Sequence, residues 1–184
     1  MTLSRTLRER AWPETALIVP VREAEPAVRS WLGHVPDFDG APLHVTVLYP
    51  FVPARRAGRA TERAVAELAG GAAPFRFRLA ALGTFPGVHF LAPDPPDPFV
   101  ALVEAAWHRW PGCPPYGGAY DAIVPHVTVA HGDRSPADPA HLAARLPISA
   151  HATELQLLDR HRGRWRLRRR FPLGDRTRRD RTIP

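Results

Sequence analysis

One tetrapeptide occurs twice in the chain, as His44-Val45-Thr46-Val47 and His126-Val127-Thr128-Val129, the copies lying nearly half the chain apart. A proline stands just upstream of each, at Pro42 and Pro125. A lone histidine on a strand is ordinary. Two of them in matching tetrapeptides are not, because the valines match as well. In an extended strand, residues i and i+2 point to the same side, so His44 lies beside Thr46 and His126 beside Thr128. The valines point the other way and hold each strand on a core.

If a pseudo-twofold axis relates the two halves, both imidazole–hydroxyl surfaces face one cleft. Two histidines there can hydrolyse a phosphodiester without a metal. The neutral imidazole takes a proton from the attacking water or hydroxyl, and the protonated one gives a proton to the leaving oxygen. Thr46 and Thr128 are candidates to hold the non-bridging oxygens, with nearby Arg offsetting developing charge. His44 and His126 are the expected acid/base pair.

The elements that must position these groups follow from periodicity and breakers. Strands are expected over 14–21, 43–49, 75–81, 88–91 and 123–130, and a closing hairpin over 152–160 and 164–171. Helices are expected over 23–34, 57–69 and 97–110, with a short one from 138 to 146. Residues 113–122 read as a Pro/Gly/Tyr loop. In the last strand Arg164, Arg166, Arg168 and Arg170 share one face. This rhythm predicts an α+β fold: two pseudo-symmetric lobes with mostly antiparallel sheets flanking a central cleft, helices outside. Residues 1–13 read as an N-terminal extension, 14–173 as a single domain of two lobes, and 174–184 as a basic, mobile tail.

The stretches His44-Val-Thr-Val-Leu-Tyr-Pro-Phe51 and Pro125-His-Val-Thr-Val-Ala130 resemble the 2H phosphoesterase superfamily, and within it the 2′-5′ RNA ligase-like proteins. Glu154-Leu-Gln-Leu-Leu158, Trp165 and Arg169-Arg-Phe-Pro-Leu173 also look like that family's ending. The resemblance spans roughly 15–173, with only the two tetrapeptides specific. It implies two lobes around a cleft and metal-free cyclic phosphodiesterase chemistry. It further implies His44 and His126 as acid/base pair and Thr46 and Thr128 as phosphate-binding hydroxyls. Many relatives carry Arg shortly after the second motif; here His131 stands there, with Arg134 further on. Strand parity puts His131 opposite His126 unless a bulge intervenes. His131 and Arg134 are therefore secondary candidates for substrate contact.

Composition narrows the alternatives. The 184 residues carry a formal charge of +7, and every one of the 25 basic residues is Arg, eleven of them between Arg160 and Arg181. That balance favours anionic partners, RNA or a nucleotide with a cyclic phosphate. It fits equally a solvated basic edge. The lone Cys113 excludes an internal disulfide, and no apolar run approaches the ~20 residues of a membrane span. A cytoplasmic monomer with no cofactor and no metal is expected. His89, His108, His141, His151 and His161 show no metal-ligand spacing, and Gly117-Gly118 lacks the Lys and helix of a phosphate loop. Tyr49, Phe51, Phe85, Tyr116, Tyr120 and Trp165 are candidates to stack a nucleobase. Tyr49 and Tyr116, beside the two motifs, come first. The competing readings are a non-catalytic RNA- or nucleotide-binding module that keeps the cleft, and a metal-dependent hydrolase.

Overall fold

The apolar alternation builds eight strands and four helices, seen in a computed structural model that describes residues 14–131 and 139–175. The strands are β1 (Thr15–Pro20), β2 (His44–Leu48), β3 (Phe75–Phe85), β4 (Val88–Asp94), β5 (Val127–His131), β6 (Ile148–Ala152), β7 (Glu154–His161) and β8 (Arg164–Pro172). They form one sheet in the order β6-β3-β4-β5-β2-β1-β7-β8, and every pairing is antiparallel. The two expected lobes are the halves of this sheet. They meet where β2 and β5 pair through Val45 and Val127.

Thr153 alone joins the edge strand β6 to β7 in the other half. Two Cα–Cα steps reach at most about 7 Å, so the sheet must curl until its ends approach. The strand expected over 152–160 is β7, which begins at Glu154 after a corner at Thr153; the strand before it, β6, was not expected and pairs with β3. The strand expected from 123 starts at Val127, since Pro125 offers no ladder N–H.

The four helices are α1 (Glu25–Leu32), α2 (Arg59–Gly71), α3 (Asp97–Arg109) and α4 (Pro139–Ala143). Glu25-Pro26 opens α1, and Gly33 closes it in the left-handed region at φ +76°. The helices cover the outer face of the sheet: α2 lies against β8, α3 against β2 and α4 against β3. Beneath them Leu17, Val19, Val45, Val47, Leu91, Val127, Val129, Leu155 and Leu157 form one core. Phe99 of α3 wedges edge-on against Phe75 and Phe77 of β3, with both centroid separations 4.9 Å. The inner face carries a separate small apolar patch of Ala16, Ile18, Ala41 and Leu158, edged by Phe38, Tyr49 and Trp165. The valines of both motifs are therefore spent on the core, and the residues between them look inward.

The expected arginine face of β8 is broken. Consecutive Leu157 and Leu158 pair with Arg169 and Leu167, leaving Arg168 as an extra residue that reverses parity. Arg170 consequently lies on the other face from Arg164 and Arg166. Most of this charge is answered by carboxylates: Arg164 by Asp37 at 2.9 Å, Arg168 and Arg169 by Glu62 at 3.2 and 2.7 Å, Arg170 by Glu154 at 3.4 Å. Segments 1–13 and 176–184, and Arg134, lie outside the described residues.

Candidate active site

The Val45–Val127 pair fixes how the two motifs face each other. Carried one residue either way, its register sets His44 across from Thr128 and Thr46 across from His126. Side chains directly opposite share a face, and residues in the diagonal relation of His44 and His126 are neighbours about 7–8 Å apart across the strands, somewhat less between their Cβ atoms. Two imidazoles and two hydroxyls thus form a four-cornered constellation about a local twofold axis. All four line one cavity of about 270 Å³, with His131, Tyr49, Phe38, Arg160 and Trp165. A larger cavity of about 390 Å³ lies between Glu23, β3, β4 and β6. There Arg78 is bound to Asp94 at 2.8 Å, and the His151 amide donates to Glu23.

Both imidazoles are held alike. The Nδ1–H of His44 donates to the Pro42 carbonyl at 2.6 Å, and the Nδ1–H of His126 donates to the Val124 carbonyl at 2.7 Å. A carbonyl can only accept, so the neutral tautomer is set, with the proton on Nδ1 and the lone pair on Nε2. Burial holds the His44 pKa below its ordinary value; the Pro42 carbonyl opposes this, and the nearby His126 charge adds to it. Burial lowers His126 as well, against the pull of Val124.

His126 sits among aromatic rings. Phe85 and Phe90 meet it edge-on at 5.2 and 5.5 Å, and Tyr116 stacks on it at 6.1 Å with 17° between planes. Tyr116 is held at φ +51°, a left-handed conformation costing a non-glycine residue roughly 1 kcal/mol or more. The Tyr116 and Thr46 hydroxyls share a hydrogen bond, and burial raises the Tyr116 pKa. The Phe90 ring in turn lies over Gly83, where a Cβ would stand 2.4 Å from its Cζ. Gly83→Ala is expected to push Phe90 toward His126, costing about 1–3 kcal/mol, read as a lower melting temperature together with lower activity.

His131 corrects the parity expectation. Consecutive His89 and Phe90 pair with Ala130 and Thr128, so Val129 is an extra residue in β5. This bulge turns His131 back to the cleft, where it meets Phe38 edge-on at 5.5 Å. The first motif does the same. Leu17 and Ile18 pair with Leu48 and Thr46, so Val47 is the extra residue and Tyr49 enters the cleft. Each motif histidine is thus followed five positions later by a second ring on the same surface. The Tyr49 hydroxyl donates to Glu14 at 2.9 Å, and burial followed by Glu14 pushes its pKa up to about 12. Arg160 is consumed by its own contacts: Asp39 at 2.9 Å, Glu14 at 3.7 Å and the Gly163 carbonyl at 3.2 Å. It acts as a strut under Trp165, its Cζ lying 5.7 Å from the ring centroid.

A curled antiparallel sheet with a histidine–threonine pair from each half facing one cleft defines the 2H phosphoesterase class. The chain belongs to the 2′-5′ RNA ligase superfamily, whose family model matches residues 13–164. Its fold is similar to that of a Thermus thermophilus protein at TM-score 0.65 and 21% identity, covering 89% of this chain and 99% of that one. It is also similar to E. coli LigT in apo form, at TM-score 0.60 and 21% identity over 90% and 100% of the chains. LigT complexed with 3′-AMP aligns at 0.56 and 21% over 89% and 99%. No curated protein matches the chain significantly. Among the described residues no helix is long and apolar enough to cross a membrane.

Proposed function

We propose that the chain hydrolyses a 2′,3′-cyclic phosphate, on an RNA end or a small nucleotide, to a 2′-phosphate, and that the same cleft accepts 2′-5′ linkages. The reading rests chiefly on the two imidazoles, each with Nδ1 spent on a backbone carbonyl and Nε2 available to one cavity. The neutral histidine accepts a proton from water as its oxygen bonds to phosphorus opposite the 3′-oxygen. The P–O3′ bond breaks, and the protonated histidine gives its proton to that oxygen. Each transfer is typically worth roughly 10²–10⁴-fold. The two side chains end with protonation states exchanged and are reset by solvent. Thr46 and Thr128 donate to the non-bridging oxygens, His131 contacts the phosphate, and Tyr49 and Tyr116 bound the substrate. The bound 3′-AMP of the LigT structure is in keeping with a nucleotide ligand.

The reading is for a cytoplasmic monomer needing no metal. Purified protein in excess chelator is expected to turn 2′,3′-cyclic nucleotides into 2′-monophosphates at an undiminished rate, resolved from the 3′ isomers by chromatography. Loss of activity with chelator, restored by a divalent cation, would favour the metal-dependent alternative. Nucleotide binding with no turnover by the wild type would leave the binding module.

A further inference from the structure

The hairpin of β3 and β4 carries a ring stack that the proposed phosphate chemistry does not use. Phe85 lies on Phe90 with centroids 4.3 Å apart and 23° between planes, a stacked pair. Phe90 is buried beneath it, whereas Phe85 keeps 37% of its surface exposed. The stack is seated by Gly83, whose missing Cβ leaves room for the Phe90 ring. Both rings touch His126 by their edges. On the same side Tyr116 stacks on His126, and Tyr120, itself 67% exposed, meets Tyr116 edge-on at 5.7 Å. Trp165, Tyr49 and Phe38 line the cavity itself, held by β8, the end of β2 and the loop before β2. Aromatic surface therefore lies at the motif centre in two separate groups, one inside the cavity and one beside it on the hairpin.

We propose that Phe85 is a base-stacking station, so that the cleft grips a nucleoside on each side of the phosphate. The preferred substrate is then an internucleotide diester or an oligonucleotide end rather than a mononucleotide. This rests on the phosphoesterase reading for the position of the phosphate. The Phe85 ring centroid lies 5.2 Å from that of His126, so a nucleoside attached to a phosphate at the Nε2 of His126 can lay its base on the Phe90–Phe85 stack as one further layer. Stacking fits this role because every base has a π-face, so the station grips without reading sequence. The Arg-rich hairpin of β7 and β8 is a weaker candidate for the second nucleoside, since its guanidinium groups are largely paired with carboxylates.

The test uses Phe85→Ala and Phe85→Trp in the full chain, at a partly exposed hairpin position where folding is spared; circular dichroism and melting temperature check this. The probes are a 2′-5′-linked dinucleotide with 2-aminopurine at either position, and 2′,3′-cyclic AMP. Phe85→Ala is expected to raise the dinucleotide KM about tenfold and to abolish fluorescence quenching of one of the two 2-aminopurines. The cyclic AMP KM stays within twofold, and Phe85→Trp restores both dinucleotide readouts. Equal loss on both substrates, or unchanged quenching in Phe85→Ala, overturns the station. Because quenching reports binding alone, it is decided even if the wild type turns nothing over, which would instead refute the phosphoesterase reading.

Discussion

Turnover of a 2′,3′-cyclic nucleotide is expected to fall about 10²–10⁴-fold when His44 or His126 is replaced singly by Ala, with substrate binding largely kept. The two losses should be similar in size, because each imidazole has the same partner type and the same free nitrogen. The double variant should lose much less than the product of the single losses, since residues acting as one unit are not additive. Neither side chain is part of the apolar core, so both variants should melt close to the wild type. Steady-state kinetics alongside equilibrium dialysis of a cyclic nucleotide separates the outcomes. A single variant that keeps more than a tenth of wild-type turnover would remove that histidine from the chemistry.

The second large effect is of pH. Burial lowers both imidazoles from 6.5, so each loses its proton at a lower pH than a free histidine does. The active form needs one proton on the pair, and the two steps belong to the pair rather than to either ring. The maximum of kcat/KM should therefore lie below pH 6.5. Above it the rate should fall about tenfold per unit, or a hundredfold from pH 6.5 to 8.5. Stability should move the other way. The unfolded chain holds protons that the folded one has shed, so stability is full above 6.5 and declines as pH drops toward the folded values. Acidification from 7.5 to 6 should thus raise activity while lowering the melting temperature. A rate that is flat or rising between pH 6 and 9 would contradict the acid/base assignment.

Much of this cleft was legible in the chain because a strand has a period of two. That period alone puts His44 with Thr46, His126 with Thr128, and the valines beneath. It fails where a bulge adds a residue, and bulges leave no composition signal. Val47 and Val129 read as ordinary strand valines, yet each displaces the parity that follows, which is why His131 was expected on the wrong face and is found in the cleft. A usable signal was present: a ring stands five positions after each motif histidine, at Tyr49 and His131. The corner at Thr153 was hidden for another reason. Residues 148–152, Ile-Ser-Ala-His-Ala, hold a single strand-favouring side chain, and only the curl of the whole sheet brings them onto β3 before the chain changes neighbours at Thr153. The Arg168 bulge likewise split a face that alternation had made continuous.

The single backbone pair between the half-sheets has a mechanical meaning. With so little ladder across the seam, the span between the two motif imidazoles is set by what is packed underneath, Val45 and Val127, neither of which exposes any surface. These two valines work as the spacer of a caliper. Trimming or enlarging either alters the gauge of the jaws while leaving every side chain that lines the cleft chemically intact, so the separation of the two imidazoles is adjustable from the interior of the molecule.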